Sequence, residues 1–196
     1  MKYDLSKKPT RGAQRTLAAF TKTLFNSIAE KDFAEISVNE ICLSSNYPRA
    51  TFYNYFDDKY DLLNYAWSVL AQQIKVNELQ NADQEYLLKA YFSQLYDLFV
   101  DQGTFINQIM KHNSYQGSLM QSLIAYLKGE VLELLNNCLL NNPQLSNPKI
   151  PLPLQVEQVT NTLILILDWI FLREHPLTKE QAYQSLVLLL QPLGIK

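Results

Sequence analysis

Between Ser37 and Lys59 the chain sets out side chains suited to a polyanion that carries information along its length. Arg49 has a guanidinium whose paired N–H groups match the O6 and N7 acceptors of guanine, a contact worth ~1–3 kcal/mol of discrimination. Ala50 is small enough to let a helix approach closely and to touch a thymine methyl. Tyr53 has the length to reach a base edge or a phosphate. Thr51, Asn54 and Tyr55 offer hydroxyl and amide donors suited to phosphates, which fix position without reading sequence. Lys59 adds an ammonium in the first turn of a further helix, where free amides also favour an anion. Tyr53 and Tyr55 also fit a plainer role, covering an aromatic core.

The elements that must position these groups are legible in the spacing. Leu17, Phe20, Thr21, Leu24, Phe25 and Ile28 repeat as one face of a helix over about residues 10–29. Ser37-Val38-Asn39-Glu40 matches a capping box, in which the serine hydroxyl and the glutamate carboxylate satisfy free amides at a helix start. A helix of about two turns follows, closed at Asn46, one of the few residues besides glycine that tolerates a left-handed backbone. Pro48 suits a helix start because it has no amide to leave unpaired. From there, steps of ~100° per residue put Phe52 and Phe56 on the inward face. Ala50, Tyr53 and Asn54 then point away, flanked by Arg49 and Thr51. Asp58 and Asp61 open a fourth helix carrying Leu62, Leu63, Ala66, Trp67 and Leu70. Asp57 and Asp58 also bring two carboxylates beside the phosphate path.

A helix, a tight turn and a second helix with an exposed polar face is a DNA-reading arrangement, and the residues carry a family resemblance. Ile36 to Leu63, ISVNEICLSSNYPRATFYNYFDDKYDLL, resembles the DNA-binding segment of the tetracycline-repressor (TetR) family. Ile41-Cys42 stands at the family's Ile-Ala in the second helix and Asn46-Tyr47 at its Gly-Val turn. Thr51-Phe52-Tyr53-Asn54-Tyr55-Phe56 and Lys59 supply the remainder. Asn46 in place of glycine, Tyr47 in place of a smaller apolar residue, and the Asp57-Asp58 pair are departures. The resemblance adds Ser37 and Asn39 as DNA-contact candidates, although Asn39 equally fits a solvent-facing helix residue. It implies an all-α fold: a three-helix helix-turn-helix domain at 8–66 and a helical effector-binding and dimerisation domain at 67–196, pairing as a homodimer through the last two helices. It further implies a repressor that leaves a palindromic operator in double-stranded DNA when an effector binds. The other reading is an adaptor or coactivator whose helical body binds a partner protein.

Helical patterns recur beyond the fourth helix at about 84–101, 104–114, 118–139, 155–173 and 178–191. The segment 141–154 holds four prolines and is expected to be a loop. Tyr91, Phe92, Tyr96, Phe99, Met110, Tyr115, Met120 and Tyr126 form an aromatic and methionine-rich set in the middle helices. Such a set fits a pocket for a small apolar effector, and it fits an ordinary helical core equally in kind. In the last two helices Val156, Val159, Leu163, Ile164, Ile166, Leu167, Ile170 and Phe171, then Tyr183, Leu186, Val187, Leu189 and Leu190, are apolar on more than one face. That asks for a second surface, either within the chain or in a second copy.

Composition sets the outer bounds. Hydrophobic residues at 47% against 18% charged give a well-buried globular chain, and five glycines are few for a phosphate-loop or all-β architecture. The net charge of −2 does not favour nucleic acid by itself. Its distribution does: residues 1–22 hold six basic side chains (Lys2, Lys7, Lys8, Arg11, Arg15, Lys22) against Asp4 alone. Cys42 and Cys138 lie in apolar helical patterns without metal-ligand spacing, as do His112 and His175 in their own contexts, so no metal and no cofactor is expected. The run Leu163–Leu172 is broken by Asp168 and too short for a bilayer. The expectation is a cytoplasmic protein with no membrane association and no catalytic site, since no nucleophile–base pair is suggested.

Overall fold

The computed structural model describes residues 3–4, 8–72, 84–141, 147 and 149–191. Among them every regular element is helical, as the spacing predicts. The chain divides into two compact units, one made of residues 1–72 and 107–123, the other of residues 73–106 and 124–196.

In the first unit α1 (Arg11–Glu30) starts at Thr10, whose side chain accepts from the Ala13 amide, and buries Leu17, Phe20, Leu24 and Ile28. A 3-10 turn (Phe33–Glu35) leads to α2 (Val38–Ser45), where both halves of the Ser37–Glu40 capping box are formed. Asn46 closes α2 at φ 58, in the left-handed region. Pro48 caps α3 (Arg49–Tyr53), and Asp58 caps α4 (Lys59–Ala71) by accepting from the Tyr60 and Asp61 amides. Phe20 is the hub of this core. Its ring centroid lies 5.4 Å from Tyr47, 5.3 Å from Phe52 and 6.3 Å from Phe56. Aromatic pairs of this kind add ~0.5–1.5 kcal/mol each beyond their buried area, so the position of α3 is set largely by Phe52 and Phe56, both fully buried. Tyr47, a departure from the family pattern, is accommodated as one of Phe20's ring partners.

Helices α5 (Gln84–Asp101), α6 (Gly103–His112) and α7 (Ser118–Asn141) follow. Residues 107–123, from α6 and α7, belong to the first unit. Within it Asn113 is buried and Trp67 donates from Nε1 to Ser122 Oγ at 3.2 Å.

In the second unit α8 (Leu152–Leu167) begins earlier than the proline-rich composition suggests. Pro153 lies in its first turn, where a missing amide costs nothing. Gln155 anchors this start, donating to the Asn147 and Ile150 carbonyls at 2.8 and 2.7 Å. The helix ends in a π-helical turn, Asp168–Leu172, where the buried Asp168 carboxylate pairs with Arg173 at 2.7 Å. Helix α9 (Lys179–Leu190) starts with a second capping box, Thr178 to Gln181. Lys179 pairs with Asp97 of α5, and Tyr96 donates its hydroxyl to the Leu177 carbonyl at 2.8 Å.

Candidate nucleic-acid interface

The residues of α3 divide by exposure much as the ~100° spacing requires. Phe52 is buried, Arg49, Ala50, Tyr53 and Asn54 are exposed, and Thr51 and Tyr55 are half-buried. Arg49 donates from its terminal nitrogen to the Tyr53 hydroxyl at 3.2 Å, one helical turn away, with its guanidinium 5.8 Å from the Tyr53 ring centre. That bond chiefly raises the Arg49 pKa above its ordinary value. The guanidinium thus has a preferred direction before any ligand arrives. Pro48 is exposed at the head of the helix.

Ser37 and Asn39 are exposed at the start of α2. The Ser37 hydroxyl is committed to the cap, accepting from the Glu40 amide at 3.2 Å. Glu40 also accepts from the Lys31 ammonium, and this bond chiefly, with that from the Ser37 amide, lowers its pKa.

Lys59 departs from the expectation. Its ammonium donates to the carbonyls of Phe33, Ala34 and Ile36 at 2.7, 3.0 and 2.8 Å. An ammonium has three donors, and all three are taken. Burial lowers its pKa, opposed by Asp32 and Asp58. The residue assigned to a phosphate therefore fastens the start of α4 to the 3-10 turn ahead of α2. The reason is geometric: the carbonyls of Phe33, Ala34 and Ile36 converge on a point that the Lys59 ammonium reaches.

Two residues that the sequence did not single out belong to this unit's architecture. Asn113, buried, bonds the Phe33 amide and the Ile28 carbonyl. Tyr3 bonds the backbone at Asn54, the residue that closes α3. Neither has a sequence-local signal, since their partners lie far along the chain.

Residues 22–66 match the family model described as bacterial regulatory proteins, tetR family. Over that segment the chain is similar to the tetR family. The match begins within α1 and ends within α4, enclosing the capping box, the Asn46 turn and the Arg49–Tyr53 helix. Solved structures extend the likeness to the whole fold. The fatty acid degradation regulator FadR from Bacillus halodurans superimposes with a TM-score of 0.66 at 19% identity, over 97% of this chain and all of that one. A protein from Syntrophomonas wolfei assigned to the TetR-family transcriptional regulators gives 0.67 at 20% identity, over 92% and 96%. FadR from Bacillus subtilis, in complex with stearoyl-CoA, gives 0.63 at 20% identity, over 88% and 96%. No curated protein sequence is similar enough to count as a match. The all-helical fold is common to these proteins and this chain.

Of the aromatic and methionine set, Tyr91, Phe92, Tyr96, Phe99 and Tyr126 lie in the second unit, while Met110, Tyr115 and Met120 belong to the first. Tyr91, Phe92 and Phe99 are buried. Burial raises the pKa values of the Tyr91 and Tyr126 phenols well above the ordinary range, and Glu130 adds to both. Among the described residues no cluster of His, Cys, Asp and Glu could hold a metal ion, and no helix is long and apolar enough to cross a membrane. Cys42 is a buried thiol; the side chain of Cys138 lies outside the described residues.

The last two helices bury most of the apolar residues that suggested a second surface. Val156, Val159, Leu163, Ile164, Ile166, Leu167 and Ile170 are inside the chain, as are Tyr183, Leu186 and Leu190. What remains outward is a smaller set: Leu154, Leu165, Trp169, Leu188 and Leu189, between 44% and 63% exposed.

Proposed function

We propose that this protein is a sequence-specific DNA-binding regulator of transcription, acting as a ligand-responsive repressor. The observation that carries the reading is the exposed Arg49–Ala50–Tyr53 face. It is carried on a helix fixed from below by Phe52 and Phe56 and aimed by the left-handed turn at Asn46. Arg49, Ala50 and Tyr53 read base edges in the major groove, and Pro48, Thr51, Asn54, Tyr55, Ser37 and Asn39 approach phosphates. Lys59 takes no direct part.

Two such helices are needed to read a palindrome, with half-sites ~34 Å apart on one face of the duplex. The proposed assembly is a homodimer through α8 and α9, in which Leu165, Trp169, Leu188 and Leu189 supply the apolar contact. The proposed division of labour puts DNA reading in residues 8–66 and effector binding and dimerisation in 67–196, in the cytoplasm and with no catalytic step.

The effector proposed is a small apolar molecule, held in the second unit among Tyr91, Phe92, Tyr96, Phe99 and Tyr126. The likeness to FadR with stearoyl-CoA supports long-chain acyl thioesters as the first class to try. Such a ligand releases the operator only by binding one dimer geometry better than the other.

Selection of bound duplexes from a random pool tests the reading. The expected product is a palindromic site whose affinity falls when long-chain acyl thioesters are added. Enrichment of no sequence would overturn sequence-specific binding; an enriched site indifferent to acyl thioesters would remove the proposed effector class.

A further inference from the structure

Tyr3 precedes α1, yet it bridges two elements that the sequence places far apart. Its backbone N–H donates to the Asn54 carbonyl at 2.7 Å. Its ring centre lies 4.9 Å from that of Tyr55. Its hydroxyl accepts from the Thr10 amide at 3.2 Å, and Thr10 is the cap of α1. One residue, through its backbone N–H and its side chain together, therefore joins the start of α1 to the residues that close α3.

Both ends of that bridge matter. Helix α3 has only five residues, too few to hold itself. The Ala50, Thr51 and Phe52 carbonyls accept from the amides of Asn54, Tyr55 and Phe56, and the carbonyl of the closing residue, Asn54, accepts from Tyr3. At the other end, Lys8 and Arg11 flank Thr10, and both are exposed. From Lys8 to Arg15 the chain carries three basic residues and no acidic one. The same tether that steadies the reading helix thus fixes where a local concentration of positive charge sits.

We propose that Tyr3 is a positioning residue that joins the basic start of α1 to the reading helix, so that Lys8 and Arg11 hold DNA phosphates beside the groove α3 enters. The inference rests on the DNA-reading function proposed above. It adds a second, sequence-independent contact zone outside the residues 22–66 of the family match. Each phosphate neutralised releases counterions and steepens the fall of log affinity with log salt by ~0.9. A fixed cation contributes this in full, whereas an untethered one pays ordering entropy on each encounter.

The test is a salt titration of the full chain on its selected duplex, by fluorescence anisotropy, with melting curves taken alongside. The variants are Lys8→Ala/Arg11→Ala, Tyr3→Ala and Tyr3→Phe. For the double variant the expected slope is shallower by about 1.8. Over a fourfold rise in salt, the wild type then loses about 12-fold more affinity than the variant. Discrimination against base-substituted duplexes stays as in the wild type. Tyr3→Ala is expected to lower affinity and flatten the slope in the same sense. Tyr3→Phe, which keeps the ring and backbone bond but loses the Thr10 link, should fall between.

A double variant with the wild-type slope would overturn the proposal, even if Tyr3→Ala proved too unstable to assay. So would a Tyr3→Ala chain that melts lower but keeps both slope and affinity, since that is a purely structural role. A wild-type chain that binds no duplex would overturn the DNA-reading function itself, and this inference with it.

Discussion

The side-chain oxygen of Asn113 accepts a hydrogen bond from the backbone N–H of Phe33 at 2.8 Å, across 80 positions of sequence. The same side chain donates to the carbonyls of Ile28 at 3.0 Å and Ile109 at 2.9 Å. It therefore satisfies the end of α1, the start of the 3-10 turn and the last turn of α6 together. Asn113→Ala should destabilise the protein by about 2–4 kcal/mol, because it strands a buried amide and a buried carbonyl at ~1–3 kcal/mol each. Urea unfolding checks this; a loss below about 1 kcal/mol would mean that water replaces the amide.

Asn46 holds the turn between α2 and α3 at φ 58, ψ 39. A residue with a branched or simple Cβ costs roughly 1–2 kcal/mol in this conformation, while glycine costs little. Asn46→Ala is expected to lose about 1 kcal/mol of stability and Asn46→Gly to stay near the wild type. Thermal melting of the two variants distinguishes them. Equal losses would show that the asparagine side chain, and not the backbone, is what the turn requires.

The reading unit was legible wherever its signals are local. The Ser37–Glu40 box closes within four residues, Asn46 announces its own backbone, and Phe52 and Phe56 mark the inward face by spacing alone. The partners of Lys59 are not legible in the same way, because they are carbonyls 23 to 26 positions away, which no window reveals. Tyr3 and Asn113 escaped notice for the same reason. In α8 and α9 the difficulty was of another kind. Helices apolar around most of their circumference do not say which stripe faces inward, and only the packed chain separates Leu163 from Leu165.

The Lys31–Glu40 ion pair makes the start of α2 sensitive to acid. Lys31 first, and then the Ser37 amide, hold the Glu40 pKa below its ordinary value of 4.5. As pH falls from 4.5, the unfolded chain takes up this proton before the folded one. The contribution of Glu40 is thus complete above its ordinary pKa and is lost as pH drops through the lowered one. In Glu40→Gln this dependence is absent. The stability gap between wild type and variant should narrow from about pH 6 to about pH 3, followed by urea midpoints. A gap that stays constant would show that Glu40 titrates alike in both states.

Lys59 is expected to behave as a structural post. Lys59→Met removes three donors from the carbonyls of Phe33, Ala34 and Ile36 and should cost about 1–3 kcal/mol. Lys59→Arg should fail to restore it, because a planar guanidinium cannot aim three donors at carbonyls converging on one point. The salt dependence of DNA affinity should be the same in wild type and in Lys59→Met, provided that both are folded at the assay temperature. A slope reduced by ~0.9 would return Lys59 to the phosphates.

The outward residues of α8 and α9 allow pairing to be tested without disturbing the fold. Leu165 is 48% exposed and Leu188 is 63% exposed, so replacing either with glutamate changes single-chain stability by only about ±0.5 kcal/mol. In a dimer that buries these side chains, a glutamate is taken out of water without a partner, which costs several kcal/mol. A pair of copies suffers that cost twice, because an isologous interface repeats every residue. Leu165→Glu/Leu188→Glu is therefore expected to sediment as a monomer at micromolar concentration, where the wild type sediments as a dimer, with unchanged helical circular dichroism. Operator affinity should fall steeply, since one reading helix per particle forfeits half of the palindrome. A wild-type chain that is monomeric would remove the dimer proposal. A double variant that remains dimeric would move the interface to another face.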